Sequence, residues 1–141
     1  MKTYYLDPDK DYHNKHLSAD QEPVNEKLLD DTVQYYEDCH HDYFFAWCNR
    51  QNLALHYGYW NESTPYNHHQ ALLNTNQKLY TQANIQASDK VLDAGCGLGG
   101  SSIWMAEQHK NSVTGITISE QQANYARNSA KRRQVNAHAH F

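Results

Sequence analysis

The sequence predicts an α/β fold in which a parallel sheet begins late in the chain, preceded by helices. Three observations lead there. From residue 89 onward, short apolar runs alternate with helix-length segments. A glycine-rich turn follows the first of these runs directly. Ahead of residue 89, apolar side chains recur at helix-like intervals. With 141 residues, the chain has room for one modest domain with a core of its own.

Residues 1–23 alternate tyrosine, acids, lysine, histidine and asparagine without periodicity and close at Pro23, which reads as a loosely docked polar leader. Residues 24–88 read as a helical amino-terminal extension or lid. Within it Leu29, Val33 and Tyr36, then Tyr43, Phe44 and Trp47, follow helical spacing across an interruption at 38–42, so two short helices or one broken helix are expected. The segment 53–60, LALHYGYW, contains Gly58, which permits a tight bend. Its aromatics Tyr57, Tyr59 and Trp60 either anchor the core or form part of a lid, the core role being the expected one. Thr64-Pro65 can open a helix over about 66–83, with Leu72 and Leu79 on one face.

At residue 89 the texture changes. Lys90–Ala94 reads as a strand, 95–100 as a glycine-rich turn, 101–109 as a helix and 112–118 as a second strand. Ser119 caps a further helix over 120–134, with Gln122 placed to complete a capping box. Strand, helix, strand, helix implies parallel strands joined by right-handed crossovers. The last residues, 137–141, stand where a third strand begins. A complete sheet of this kind needs several more strands, so the chain reads as a fragment or truncated frame that alone binds its ligand weakly or not at all.

Composition narrows the function classes. The charge is −4, with 39% hydrophobic and 20% charged residues and eleven tyrosines, a globular rather than disordered profile. No apolar run has the length of a membrane span, and the first residues lack the apolar centre of a signal peptide. Three cysteines without CxxC spacing fit reduced thiols and a cytoplasmic location. The ten histidines include the adjacent pairs His40-His41 and His68-His69, which fall on different helix faces, so no metal site is expected. Lys131-Arg132-Arg133 sits at a helix end, where cations meet the negative end of the dipole; the basic surface is too narrow for nucleic acid.

The chemistry concentrates at the glycine turn. A backbone that turns sharply from strand to helix needs residues without side chains, and Gly95, Gly97 and Gly99 then let a ligand lie against the main chain. The helix after the turn presents unpaired N–H groups that suit a carboxylate or phosphate. Gly95, Gly97 and Gly100 also satisfy the GxGxxG pattern of dinucleotide sites, but those sites want an acid at the end of the second strand, where Thr117 stands.

The run Asp93-Ala94-Gly95-Cys96-Gly97-Leu98-Gly99, with its acid two residues before the first glycine, resembles the first motif of class I methyltransferases. Together with VTGITISEQQ and LHYGYW, it is similar to the group containing cyclopropane fatty acid synthases and the tocopherol- and sarcosine-type methyltransferases. The resemblance covers about residues 30–141. It implies a Rossmann-like sheet of which only the first βαβα part is present, and S-adenosylmethionine as cofactor. It also implies that Asp93, Ala94, Gly95, Cys96 and Gly97 form the turn against the cofactor, Gly95 and Gly97 lining its methionine moiety. By the same resemblance Ile118 packs near the adenosine, Gln122 replaces the usual ribose-binding acid after Thr117, and the pair Tyr36-Glu37 folds over the cofactor.

The function expected is therefore methyl transfer by in-line displacement to a small-molecule or lipid acceptor, with no catalytic residue identified. Two other classes remain open. One is a fragment of an NAD(P)-dependent oxidoreductase. The other is a non-catalytic half-fold that completes its sheet with another chain, or with a second copy, through the open edge of the second or third strand.

Overall fold

The computed structural model describes residues 26–39, 51–63 and 65–141. The first helix, α1, is Glu26–Asp38, and α2 is His68–Gln82. The sheet unit then runs β1 Lys90–Ala94, α3 Gly100–His109, β2 Ser112–Ile116, α4 Glu120–Arg132 and β3 Ala139–His140. All three strands are parallel, in the order β1-β2-β3. Asp93 stands opposite Gly115 and Ala94 opposite Ile116, so β1 and β2 end level.

Successive strand residues alternate between faces. On one face Ala139 packs with Ile103 and Ala106 of α3 and Ala130 of α4, Leu53, Leu98 and Val135 completing that core, and the buried partner of Ala139 on β2 is Val113. The opposite face carries Leu92 and Ile116, both more than half exposed. Asn111, fully buried between α3 and β2, donates through Nδ2 to the carbonyls of Gln86 and Asp89 and accepts from the Tyr80 hydroxyl. This amide pins α2 and the turn before β1 to the end of α3. At the far end of α4, Arg133 forms an ion pair with Glu107 of α3 at 3.3 Å and donates to the Gln51 carbonyl. Its charge thus joins two helices instead of serving only the dipole of its own.

Several expectations change. α2 starts at His68 because Asn67 Oδ1 accepts from Gln70 N, so Pro65 lies ahead of the helix instead of in its first turn; Thr64 is outside the described residues. On α2 the buried positions are Ala71, Leu72 and Asn76, and in the last turn it is Tyr80, stacked on His109, that meets α3, while Leu79 is 59% exposed beside it. Tyr57, Tyr59 and Trp60 are exposed, and the buried part of their segment is Asn52–Ala54, wedged against the start of α3. Gly58 has no positive φ; it allows close approach, since a Cβ there would stand 2.6 Å from Ala71 Cβ, where Tyr59 N donates to Ala71 O. The second strand, expected to offer an open edge, is paired on both sides, so the open edges belong to β1 and β3. The leader 1–23 and the aromatics Tyr43, Phe44 and Trp47 fall outside the described residues.

Candidate functional site

The turn between β1 and α3 is built from residues that tolerate left-handed backbone. Gly95, Gly97 and Gly99 have φ of 83°, 53° and 81°. Gly95 N and Cys96 N both donate to Ile116 O at 2.9 Å, which ties the turn to the end of β2. Leu98 drops into the core and anchors the loop from below. The helix that follows has Gly99 as its cap, with no side chain bonded to its first-turn N–H groups. Gly100 and Ser101 line a cleft at this point.

Asp93 forms one wall of that cleft, its Oδ2 accepting a 2.6 Å hydrogen bond from Ser102 Oγ of α3. This bond fixes the carboxylate at the carboxyl end of β1. Burial, helped by the Asp93 charge and opposed by a backbone hydrogen bond, raises the Cys96 thiol from 9.0 to about 11. Cys96 is thus a protonated packing group at neutral pH, not a nucleophile. Native-state alkylation at Cys96, followed by peptide mass spectrometry, is expected to stay slow at pH 8 and to accelerate up to about pH 11. The unfolded thiol loses its proton near 9.0 and the folded one near 11, so the contribution of this site to stability falls between those pH values. Fast labelling at pH 8 contradicts the assignment.

The other wall comes from the end of β2 and the start of α4. Ser119 Oγ accepts from Gln122 N at 3.2 Å, the expected cap. The reciprocal half of the capping box is replaced: Gln122 Oε1 accepts from Thr117 Oγ1 at 2.9 Å, while Ser119 N donates to Thr117 Oγ1 at 3.4 Å. Thr117, Ile118 and Gln122 all face the cleft. Tyr36 reaches it from α1, whereas its neighbour Glu37 turns to the residues that start α4.

The cleft has a volume of about 600 Å³ and brings together Tyr36, Asp93, Gly95, Cys96 and Gly97 with Thr117, Ile118 and Gln122. Ala94 is the expected residue it omits, although Ile116, its partner on β2, lines the cleft. Sequence reasoning missed Leu53, Ala54, Leu55 and His56, which form a third side. His56 Nε2 and Ser101 Oγ both bond Asn76 Oδ1, at 3.1 and 2.9 Å, so α2 orients two polar groups at the cleft wall. The LHYGYW segment carries the signal, through Leu55 and His56 and not through its aromatic residues.

A family model described as mycolic acid cyclopropane synthetase matches residues 25–140. Methyltransferase GfsG of Streptomyces halstedii is 32% identical over 78 residues, 55% of this chain and 28% of the relative. The 27-O-demethylrifamycin SV methyltransferase of Amycolatopsis mediterranei (strain S699) is 36% identical over 81 residues, 57% of this chain and 29% of the relative. The chain therefore spans less than a third of the length of either. Among solved structures, the [4+2]-cyclase SpnF superposes with a TM-score of 0.66 at 23% identity, over 80% of this chain and 41% of that one. Geranyl diphosphate C-methyltransferase from Streptomyces coelicolor A3(2), with Mg2+, geranyl diphosphate and S-adenosyl-L-homocysteine, gives 0.64 at 19% identity, over 84% of this chain and 47% of that one. These two likenesses establish the Rossmann-like fold, and since one neighbour is a cyclase, the fold alone does not fix the reaction.

Proposed function

Because the chain belongs to the mycolic acid cyclopropane synthetase family, we propose that it is the cofactor-binding part of an S-adenosylmethionine-dependent methyltransferase acting on a small-molecule or lipid acceptor. One observation carries the proposal: the glycine turn, Asp93 and the Thr117–Gln122 segment, distant in sequence, converge on one cleft at the carboxyl ends of two parallel strands. Ligands of open α/β sheets bind in that position.

The residues present suit this cofactor. The cleft volume of about 600 Å³ lies in the range of small-molecule sites. A Cβ added at Gly95 would meet nothing within 4 Å, so the main chain there is open to a ligand. In this proposal Gly95 and Gly97 lie against the methionine moiety and Ile118 against the adenine. The amide N–H groups of Gln122 serve the ribose hydroxyls, its Oε1 being taken by Thr117. A dinucleotide would instead use a carboxylate at the end of β2, and Thr117 stands there. When bound, the cofactor supplies a sulfonium methyl group for in-line displacement by the acceptor. The chain's own part is to position and to exclude water, for which Asp93, held by Ser102, and the Gln122–Thr117 pair are preorganised.

The proposal includes the division into a helical extension over 24–88 and a cofactor-binding unit from 89. It also includes a cytoplasmic location, which rests on the odd cysteine count and on Cys39 and Cys96 as free thiols. Self-association through the open edges of β1 and β3 belongs to it as well. No helix among the described residues is long and apolar enough to cross a membrane.

Thermal unfolding tests the cofactor. S-adenosylhomocysteine at about 100 times its Kd is expected to add about 2.7 kcal/mol of stability to the full-length protein. A rise in Tm with NAD(H) and none with S-adenosylhomocysteine or S-adenosylmethionine overturns the reading.

A further inference from the structure

Tyr36 and Glu37 are neighbours on α1, yet their side chains go to different places. Tyr36 lines the cleft, while the Glu37 carboxylate reaches the N-terminus of α4. There Glu37 Oε1 accepts from Ser119 Oγ at 3.0 Å and from Gln121 N at 3.4 Å, and its Oε2 accepts from Gln121 Nε2 at 2.7 Å. A carboxylate in that position meets the positive end of the helix dipole and a backbone N–H that the helix itself leaves unpaired. Ser119 uses its hydroxyl twice, donating to Glu37 and accepting from Gln122 N. Gln122 in turn holds Thr117. Glu37 is therefore bonded to the same short segment that forms the second wall of the cleft.

We infer that Glu37 is a positioning residue, a latch that holds α1, and with it Tyr36, across the cleft by seating its carboxylate on the N-terminus of α4. Among the described residues of α1, Leu28 is 62% and Tyr35 53% exposed, while Val33 is half-buried. The charge-assisted hydrogen bonds of Glu37 fix this helix against the start of α4, and elements whose apolar side chains are largely exposed open at low free energy. The consequence for a ligand in the cleft rests on the cofactor reading above; the latch itself is present without one. Its loss lets α1 swing away and shortens the residence of whatever lies beneath Tyr36.

Hydrogen exchange and cofactor dissociation in the full-length protein test this with Glu37→Ala, Glu37→Gln, Ser119→Ala and the Glu37→Ala/Ser119→Ala pair. In Glu37→Ala without cofactor, exchange over residues 26–39 is expected to accelerate while β1 and α3 keep their protection. S-adenosylhomocysteine should leave about tenfold faster, the change lying in the dissociation rate. Glu37→Gln, which keeps an acceptor for Ser119, should lose only about threefold. On the Ser119→Ala background, Glu37→Ala should add less than its single effect, because the two groups share a bond. Unchanged exchange over 26–39 in Glu37→Ala overturns the latch, as do strictly additive effects of the two substitutions. If exchange responds as expected but the unaltered protein binds no S-adenosylhomocysteine, the latch stands and the cofactor reading fails.

Discussion

Gly97→Phe is expected to reduce affinity for S-adenosylhomocysteine at least about 100-fold, equivalent to about 2.7 kcal/mol. Two effects add. The backbone at Gly97 has φ of 53°, a conformation that disfavours any residue with a Cβ by about 1–2 kcal/mol. A Cβ there would also stand 3.3 Å from Leu55 Cδ1, so an aromatic ring has to occupy the space between the glycine turn and Leu55, which is the cleft. Gly97→Ala separates the two effects: it carries the backbone strain and leaves most of the cleft, so its loss should be far smaller. Calorimetric titration of the three proteins in their full-length form decides, and wild-type affinity in Gly97→Phe would remove the turn from the binding site.

Gly100→Ala should act on the fold instead of the ligand, lowering stability by about 3 kcal/mol, the upper end of the overpacking range. Its Cβ would stand 2.5 Å from the Asn52 carbonyl oxygen, 2.7 Å from that of Leu53 and 2.8 Å from the Leu53 carbonyl carbon. Those atoms are backbone, and they belong to a segment already constrained: Leu53 has φ of 51° and is buried, and Asn52 Oδ1 accepts from Ala54 N. Neither a rotamer change nor a small side-chain shift relieves the clash. Gly95→Ala provides the contrast, with a φ of 83° but no atom within 4 Å of the added carbon, so strain acts there without collision. Denaturant unfolding is expected to place Gly100→Ala well below Gly95→Ala. Equal midpoints for the two would show that segment 52–54 can yield.

Much of the sheet unit was legible because its determinants are local. The strand at 90–94 ends at a turn whose glycines have to be there for the chain to turn at all, and the residues that need positive φ are those glycines. Ser119 announced the start of α4 by its chemistry as a cap, and the structure places its hydroxyl on Gln122 N. The same local logic misled where two partners competed for one side chain. Gln122 was expected to close the capping box, but Thr117, two residues ahead of the cap and outside that motif, donates to its Oε1 instead. At α2 the apolar spacing was visible, while which side chain of the last turn meets α3 was not: Tyr80 packs on His109 and Leu79 is exposed, two turns after the buried Leu72.

The sequence by itself determined the order of strand, turn and helix, the glycines of the turn, and the placement of Asp93 and Thr117 at strand ends and of Gln122 in the first turn of a helix, because φ restrictions, capping and strand periodicity act over a few residues. Tertiary structure alone decided that segment 53–56 forms a wall of the cleft and that Tyr36 and Glu37 part company, one to the cleft and the other to the cap of a helix 82 residues on. Contacts between segments so far apart depend on how whole elements pack. A change of one residue in where a helix begins rotates its side chains by about 100°, and no local pattern encodes which surface they then meet.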